Sequence, residues 1–546
     1  MKKALYFTLF INILLIGCSD SDTSSENQNF TLLKTYINGS EVTGSVFRNI
    51  PVNSVIEFEF SEPVDIISAQ KHITLFKGSD QINLTFTTGA SSNILQIEPQ
   101  TSLAFFTRHD LAIAAELTSI KGKKLNLFMP YRLFTELDLS DKFPSISEEE
   151  LLTKVQQQTF KYFYDFAQAN SGMARERNTS GDLVTSGGSG FGLMALIVGI
   201  ERGFITREQG LTRFEKIISF LETADRFHGA WAHWMNGNTG DVIPFSAKDN
   251  GGDLVETSFL VQGLITVRQY LNPNVAREQN LINRINELWE DVEWSWYRKN
   301  NENVLYWHWS PNFGWEMNFP MYGYFEQQIT YILAAASPTY SIPKIVYTNG
   351  YGRNGAIVKN NFHYGIQLPL ESPAPLFWVH YSYLGMHPNI KDEYANYWTQ
   401  NKNATLINRA YCIANPKNYP LYGANCWGLT SSDNQNGYAA HYPGNDLGVI
   451  SPTAALSSMP YTPQESINAM KFFYYKLGDK LWGEYGFYDA FNISAGWFAN
   501  SYLAIDQGPI IVMIENHRTG LLWNLFMSAP EIQTAFTKLN ITYPAP

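Results

Sequence analysis

The hydrophobic pattern of this chain changes its period near residue 145, and this change limits the fold more than any single motif. Before it, apolar and polar residues alternate in short runs such as Val55–Phe60 and Ile82–Phe86, which turn residues separate. After it, Leu151, Val155 and Tyr162 recur at the spacing of one helical face. The sequence therefore predicts a small β-sandwich followed by a larger, mainly helical domain.

The domain boundaries follow from this change and from the composition of the N-terminus. We predict a lipoprotein signal peptide at 1–18, a flexible tether at 19–29, an Ig-like β-sandwich at 30–140 and a helical domain at 145–546. Ser147 precedes Glu150 by three residues, the spacing of a capping box that begins a helix. About a dozen helical stretches are predicted, two of them over 376–384 and 510–517. That number of helices suggests an α/α toroid, although a less regular helical array would give the same pattern.

The N-terminus has the features of an export signal. Two lysines, Lys2 and Lys3, precede an apolar run over Ala4–Ile16 that is too short to span a bilayer and ends before Gly17 and Cys18. This segment resembles bacterial lipoprotein signals, in which the cysteine is lipidated and becomes the mature N-terminus. We expect an anchored lipoprotein on the periplasmic or cell-surface face of the outer membrane. The alternative is an ordinary signal peptide with an accidental cysteine.

Composition and motif content exclude several classes of function. A net charge of −11 without a basic cluster opposes nucleic-acid binding, so no nucleic-acid partner is expected. The glycine-rich run over Gly187–Gly192 follows no strand and lacks dinucleotide spacing, and the histidines are scattered without an HExxH motif. We therefore expect neither a cofactor nor a catalytic metal. Cys412 and Cys426 have the spacing to form a disulfide, but two free buried thiols fit the sequence nearly as well.

Long loops between the helices carry many aromatic and acidic residues, the combination that a carbohydrate cleft needs. Sugar C–H faces stack on rings, while sugar hydroxyls bond to carboxylates and amides. The alternative is that most of these aromatic rings belong to the hydrophobic core. The predicted substrate-binding residues are Glu176, Asp182, Trp231, Trp234, His308, Trp309, Glu326 and Asp489.

Two carboxylates are the candidates for catalysis. Glu256 lies where a glycine-rich loop enters an otherwise apolar helix, so burial there would raise its pKa as a general acid requires. Asp446 precedes a helix that begins at Pro452, and it would serve as a base if it faces Glu256 across a cleft. The simpler alternatives are a helix-dipole complement at Glu256 and a turn former at Asp446.

Six segments together resemble one known family. They are Gly190–Ala195, Val198–Gly203, Asp253–Phe259, Tyr306–Ser310, Ser451–Ala455 and Gln507–Asn516. In chain order they resemble the bacterial glucoamylase-like domain of glycoside hydrolase family 144, over about 147–539. The segment Phe58–Val64 resembles bacterial Ig-like domains that precede secreted enzymes.

The resemblance implies an (α/α)6 barrel that hydrolyses β-1,2-glucan or its oligosaccharides with inversion, either as an endo-glucanase or by releasing sophorose. It places the suspected acid on Glu256 and the base on Asp446. The chain departs from the family pattern with Asn445, where a second acid is common, and with Glu176, where many members carry an aspartate. Two other classes stay open: a surface glycan-binding lipoprotein without catalysis, and a polysaccharide lyase on a similar toroid.

Overall fold

The computed structural model describes residues 29–371 and 373–545. These residues form two compact units that meet in the chain between Leu137 and Asp138. The predicted signal peptide with Cys18, and the predicted tether except Asn29, lie outside the described residues. Within those residues no helix combines the length and apolarity needed to cross a membrane.

The N-terminal unit contains two five-stranded sheets and one short helix, α1, Ile66–His72. Its strands are β1 Leu32–Ile37, β2 Ser40–Val42, β3 Val46–Ile50, β4 Ile56–Phe60, β5 Ile73–Lys77, β6 Asp80–Ile82, β7 Leu84–Thr88, β8 Ile94–Pro99, β9 Arg108–Ile113 and β10 Met129–Thr135. One sheet has the order β2-β1-β4-β8-β7 and the other β3-β10-β9-β5-β6. Every neighbouring pair is antiparallel except β3 and β10, which run parallel.

Alternating side chains build the core between these two sheets. In β4 the buried positions are Ile56, Phe58 and Phe60, and the two glutamates between them are half-exposed. Phe58 of one sheet lies 6.0 Å from Tyr131 of the other, measured between ring centroids. The period-two pattern therefore correctly predicted a strand-rich unit with one apolar face on each sheet.

The C-terminal unit is mainly helical. Its helices are α2 Glu148–Tyr164, α3 Ser186–Glu201, α4 Arg207–Leu221, α5 Leu254–Tyr270, α6 Ala276–Glu290, α7 Gln328–Ala336, α8 Lys344–Val346, α9 Tyr397–Ala414, α10 Pro452–Leu456, α11 Pro463–Leu481, α12 Ala504–Thr519, α13 Leu521–Met527 and α14 Pro530–Leu539. The predicted capping boxes at Ser147 and Thr206 both form. Each satisfies backbone N–H groups that the first helical turn leaves without an internal partner.

Short two- and three-residue strands, with a few longer hairpins, connect these helices. They are β11 Leu183–Thr185, β12 Arg226–Phe227, β13 Ala230–Trp231, β14 Trp234–Asn236, β15 Val242–Ile243, β16 Gly252–Asp253, β17 His308–Trp309, β18 Val358–His363, β19 Ile366–Leu370, β20 Ser431–Asn434, β21 Gly437–Ala440, β22 Trp482–Gly483, β23 Gly486–Phe487, β24 Phe491–Asn492 and β25 Trp497–Phe498. They give the long loops a fixed shape, which the helical pattern of the sequence did not predict.

The helices differ in how much of their surface is buried. α3, α5, α7 and α12 are buried around almost their whole circumference, whereas α2, α4, α6, α11 and α14 bury one face. From α2 to α7 the one-faced and fully buried kinds alternate along the chain. Helices that are apolar all round belong inside a structure, and amphipathic helices belong at its surface.

Glycines allow α3 and α5, two of the buried helices, to pack with their backbones in direct contact. A Cβ added at Gly190 would lie 2.1 Å from the carbonyl oxygen of Phe259. One added at Gly263 would lie 2.2 Å from the carbonyl oxygen of Gly190. Real side chains do not approach this closely, so only glycine fits at the crossing.

Two helix predictions are wrong in their extent. Residues 376–384 form two 3-10 turns, Leu376–Val379 and Tyr381–Tyr383, instead of one α-helix. The last long helix begins at Ala504, six residues before the predicted start, with Pro509 inside it. Proline lacks an N–H, which favours a helix start after it, but here burial of both flanking turns outweighs that local preference. Cys412 and Cys426 are free and buried, which settles the alternative in favour of thiols.

We expect Gly263→Ala to destabilise the helical unit by about 1–3 kcal/mol, because the new methyl group forces α3 and α5 apart. Thermal unfolding followed by circular dichroism measures this change. Gly423→Ala is the control, since its Cβ would meet its nearest neighbour at an ordinary 3.7 Å. Equal melting temperatures for the two variants would contradict the close crossing.

Candidate active site

A cavity of about 430 Å³ opens in the helical unit and contains three carboxylates together with several aromatic faces. We call it the cleft. It is lined by Glu176, Arg177, Thr185, His233, Trp234, Phe245, Glu256, Trp307, Glu326, Phe377, Tyr381, Ser431, Tyr438, Leu503 and Ile505. These residues come from loops and helix starts spread over most of the unit. Four of the predicted site residues meet here: Glu256, Glu176, Glu326 and Trp234.

Glu256 lies in the first turn of α5 with only 7% of its surface exposed. Its Oε2 accepts hydrogen bonds from the backbone N–H of Gly187, at 2.9 Å, and from Thr185 Oγ1, at 3.4 Å. A Cβ at Gly187 would lie 2.3 Å from that oxygen, so glycine is required there. The other oxygen, Oε1, makes no hydrogen bond to any residue that the structure describes. One oxygen of Glu256 is thus anchored while the other is free to meet a ligand.

The surroundings of Glu256 favour its protonated form. Burial raises the pKa of Glu256, and the negative charge of Asp253 adds to this effect, while His233 opposes it. Burial likewise raises the pKa of Glu326 well above its usual value, and Glu256 and Asp253 add to the rise. The cleft therefore holds two carboxyl groups that resist ionisation together.

A network of histidines and aspartates lies directly behind Glu256. Asp253 caps α5 by accepting the N–H of Glu256 on Oδ1, and its Oδ2 lies 3.1 Å from His233 Nδ1 and 3.4 Å from His308 Nε2. His308 Nε2 is also 3.1 Å from Asp249. The pairing of β16 with β17 places Asp253 opposite His308 and so builds this contact.

The charges of this network support one another. Burial alone would lower the pKa of His233, but the charges of Glu256 and Asp253 raise it to about 9. Burial likewise opposes the charge on His308, but Asp249 and Asp253 raise its pKa to about 10. In the sequence these histidines look scattered, because His233 and His308 are far apart in the chain. Residues 233, 249, 253 and 308 meet only through the β16–β17 pairing and the loops beside it.

His233, Asp249 and Asp253 are also the one group in the described part of the chain whose spacing suits a metal ion, with ligand atoms within 4.8 Å of one another. In this structure His233 bonds to Asp253 and His308 to both aspartates. These ion pairs account for the cluster, and we assign it no metal.

Glu176 differs from the other two cleft carboxylates because it has a cationic partner. Arg177 Nε lies 2.9 Å from Glu176 Oε2, and Arg177 Nη1 lies 3.1 Å from Asp433 Oδ2. Ser501 Oγ donates a second bond to Asp433, at 2.6 Å. The guanidinium group of Arg177 thus bridges the carboxylates of Glu176 and Asp433.

A buried acidic pair lies next to Asp433. Asp489 Oδ2 accepts the N–H of Asp433 at 2.6 Å, and burial, followed by the charge of Asp433, raises the pKa of Asp489 to about 7. Burial, followed by the charge of Asp489, raises the pKa of Asp506 well above its usual range. Asp489 was predicted to bind substrate, but it does not line the cleft and instead supports the hairpin that carries Asp433.

Asp446, the predicted base, lies outside the residues that line the cleft. It is 1% exposed and accepts hydrogen bonds from Tyr411 Oη at 2.9 Å, Tyr422 Oη at 2.8 Å and the N–H of Gly448 at 2.9 Å. These three donors satisfy its carboxylate inside a structural loop. Asp446 therefore does not share the lining of the cleft with Glu256.

Four other predicted residues also do not line the cleft. Trp231 is fully buried, where its Nε1 donates to the carbonyl of Leu221 at 3.2 Å, so it belongs to the core. Asp182 accepts a hydrogen bond from Gln168 at 3.1 Å. Trp309 packs its ring against neighbouring aromatic residues. His308 contacts Asp253, which in turn caps the helix that carries Glu256.

Conversely, Asp433, Tyr381 and Tyr438 were not predicted, because no local motif marks them.

Comparison with known proteins identifies the family. Residues 318–530 match the Glycoamylase family model, described as "Putative glucoamylase", and residues 42–135 match a bacterial Ig-like domain. An endo-β-1,2-glucanase from Chitinophaga pinensis, solved with sophorotriose and glucose, is 57% identical with a TM-score of 0.72, over 73% of this chain and 100% of that one. The chain belongs to this glucoamylase-like family. The predicted family and Ig-like domain are thereby confirmed.

Two further relatives are similar to this glucoamylase-like protein. A β-1,2-glucanase structure from Parabacteroides distasonis is 37% identical with a TM-score of 0.71, over 94% of this chain and 73% of that one. An exo β-1,2-glucooligosaccharide sophorohydrolase (non-reducing end) from the same species is 46% identical over 421 residues. That match covers 72% of this chain and 58% of the relative's length.

We expect His233→Gln to move the alkaline limb of the pH profile of kcat/KM upward by about one unit. Loss of the imidazolium removes the charge that lowers the pKa of Glu256, so Glu256 keeps its proton to higher pH. His228→Gln is the control, because His228 pairs with Glu293 and does not line the cleft. An unmoved or lowered alkaline limb would contradict the proposed coupling.

Proposed function

We propose that this protein is a glycoside hydrolase that cleaves β-1,2-linked glucan or its oligosaccharides. The observation that carries the proposal is Glu256, a buried carboxyl group with a raised pKa and one free oxygen in a cleft lined with aromatic rings. The names of the relatives, an endo-β-1,2-glucanase and a sophorohydrolase, support the linkage and the reaction. Hydrolysis by an acid and a base needs no cofactor.

We also infer that the helical unit is an (α/α)6 toroid. The alternation of amphipathic and fully buried helices from α2 to α7 supports two concentric layers. The inner layer would present its helix starts, including those of α3 and α5, to the cleft. This arrangement accounts for the way in which residues 176 to 505 contribute to one site.

In the proposed mechanism Glu256 is the general acid. Its proton resides on Oε1, because Oε2 accepts the hydrogen bonds from Gly187 and Thr185. Glu256 transfers this proton to the glycosidic oxygen as the bond to the sugar carbon breaks. Asp253 and His233 set its pKa from behind, and the rings of Trp234 and Phe245 offer faces for the sugar.

A carboxylate held in an ion pair is the better candidate for the base, and Glu176 is the cleft carboxylate that pairs with an arginine. Glu326 is unsuited, because burial beside Glu256 keeps its pKa well above the usual value. Glu176 is paired with Arg177, which stays charged at any physiological pH. We therefore propose that Glu176 activates the attacking water, in place of Asp446 from the family pattern. An inverting pair stands roughly 6.5–9.5 Å apart to admit that water.

We expect Glu256→Gln to lower kcat on β-1,2-glucan by about a hundredfold to ten-thousandfold, because the amide cannot donate the proton. Product chromatography measures turnover, and polarimetry reports the anomer released. Retained affinity for glucan shows that the variant is folded. Wild-type protein that binds glucan without releasing product would point to the glycan-binding alternative, and products that absorb in the ultraviolet would point to a lyase.

The two candidates for the base are separated by a pair of matched substitutions. Glu176→Gln should lower kcat by about a hundredfold or more and leave the melting temperature nearly unchanged. Asp446→Asn should lower the melting temperature, because it disturbs the bonds from Tyr411 and Tyr422, while kcat stays within about tenfold. A folded Asp446→Asn variant without activity would return the role of base to Asp446.

We also propose, from the sequence pattern alone, that Cys18 carries a lipid anchor and that the protein is displayed on the periplasmic or outer face of the outer membrane. Several acyl chains on one residue bind a membrane stably, whereas one chain binds marginally. Wild-type protein should fractionate with membranes and carry acyl mass on its N-terminal peptide, while Cys18→Ala should carry none. An unmodified wild-type N-terminus would refute the anchor.

A further inference from the structure

A second cavity, of about 350 Å³, opens in the helical unit beside the cleft. No residue lines both cavities. Its lining includes Tyr322, Tyr324, Phe325, Arg353, Glu371 and Trp378. Its volume is within the range of small-molecule sites, and its lining combines aromatic rings with a few convergent polar groups.

A continuous row of rings joins the two cavities. Trp307 lines the cleft and stacks on Phe325 of the second cavity, with ring centroids 6.0 Å apart and planes inclined by 12°. Phe325 in turn lies 5.8 Å from Trp378. Phe377, the neighbour of Trp378 in the chain, faces the cleft. These half-buried rings thus connect the lining of one cavity to that of the other.

The polar end of the second cavity is suited to a neutral, hydroxyl-rich ligand. Arg353 Nη1 lies 3.5 Å from Glu371 Oε1, and this buried oxygen makes no hydrogen bond to the described residues. The two charges cancel, so the cavity offers no net attraction for an anion or a cation. It offers ring faces for C–H groups together with a donor and an acceptor for hydroxyl groups, which a glucosyl residue satisfies.

We propose that the second cavity is a further glucan subsite. It binds glucosyl residues of the same chain whose scissile bond lies at Glu256, and the row Trp307–Phe325–Trp378 carries the chain from one cavity to the other. This inference rests on the proposed function, since it assigns a longer substrate to the same site. Long chains therefore gain a contact that short oligosaccharides cannot reach.

Trp378→Ala tests the subsite. We expect kcat/KM on a β-1,2-glucan of ten or more units to fall at least about fivefold further than kcat/KM on the trisaccharide. Trp378→Phe should restore most of the preference, because it keeps a ring. Tyr340→Ala is the control, because Tyr340 is 38% exposed and lines neither cavity. Melting temperatures of all variants report folding.

Binding measurements separate failure of the subsite from failure of the proposed function. In the Glu256→Gln background, calorimetry with the long glucan should show at least about fivefold weaker binding once Trp378→Ala is added. Equal losses on long and short substrates would overturn the subsite while leaving the hydrolase intact. Wild-type protein that turns over no β-1,2-glucan of any length would overturn the proposed function itself.

Discussion

The backbone contact between α3 and α5 is the constraint on which the candidate site depends. Gly190 and Gly263 allow the two helices to approach until carbonyl oxygens fill the space that Cβ atoms would occupy. At that separation the N-terminus of α3 reaches the first turn of α5, so that the N–H of Gly187 bonds to Glu256. The acid is held by the packing of the core itself, and a looser crossing would leave it without an anchor.

The carboxyl groups of the cleft lie in two different electrostatic environments. Glu256 and Glu326 share a buried region in which ionising both is costly. Glu176 has a guanidinium partner instead, which is shared with Asp433. Burial thus dominates the surroundings of Glu256 and Glu326, whereas an ion pair dominates those of Glu176. The histidines behind Asp253 moderate the first effect without abolishing it.

Features that depend on neighbours in the chain were predictable, and features that depend on distant partners were not. The capping box at Ser147 and the helix that presents Glu256 follow from local spacing. Trp231 lies in the short strand β13, three residues before Trp234 of the cleft, and no local pattern reveals that its indole is buried in the core.

The hydrogen-bond partners of Asp446 were not predictable for a similar reason. Its tyrosine partners lie 24 and 35 residues away in the chain, so a carboxylate beside a helix start looked free to act when it was already satisfied. Arg177 and Asp433 are 256 positions apart and meet only in the folded chain. The two-unit organisation and the family could therefore be predicted from the sequence. The partners of the acidic side chains could be seen only in the structure.

The anchoring of one oxygen of Glu256 has a stereochemical consequence. With Oε2 held by Gly187 and Thr185, the proton transfer that we propose for Glu256 would start from Oε1 along a direction that is fixed relative to the walls of the cleft. A sugar must therefore turn until a lone pair of its bridging oxygen meets that direction. Under the proposed function, Glu256 would thus help to select the orientation of the substrate, together with the rings that line the cleft.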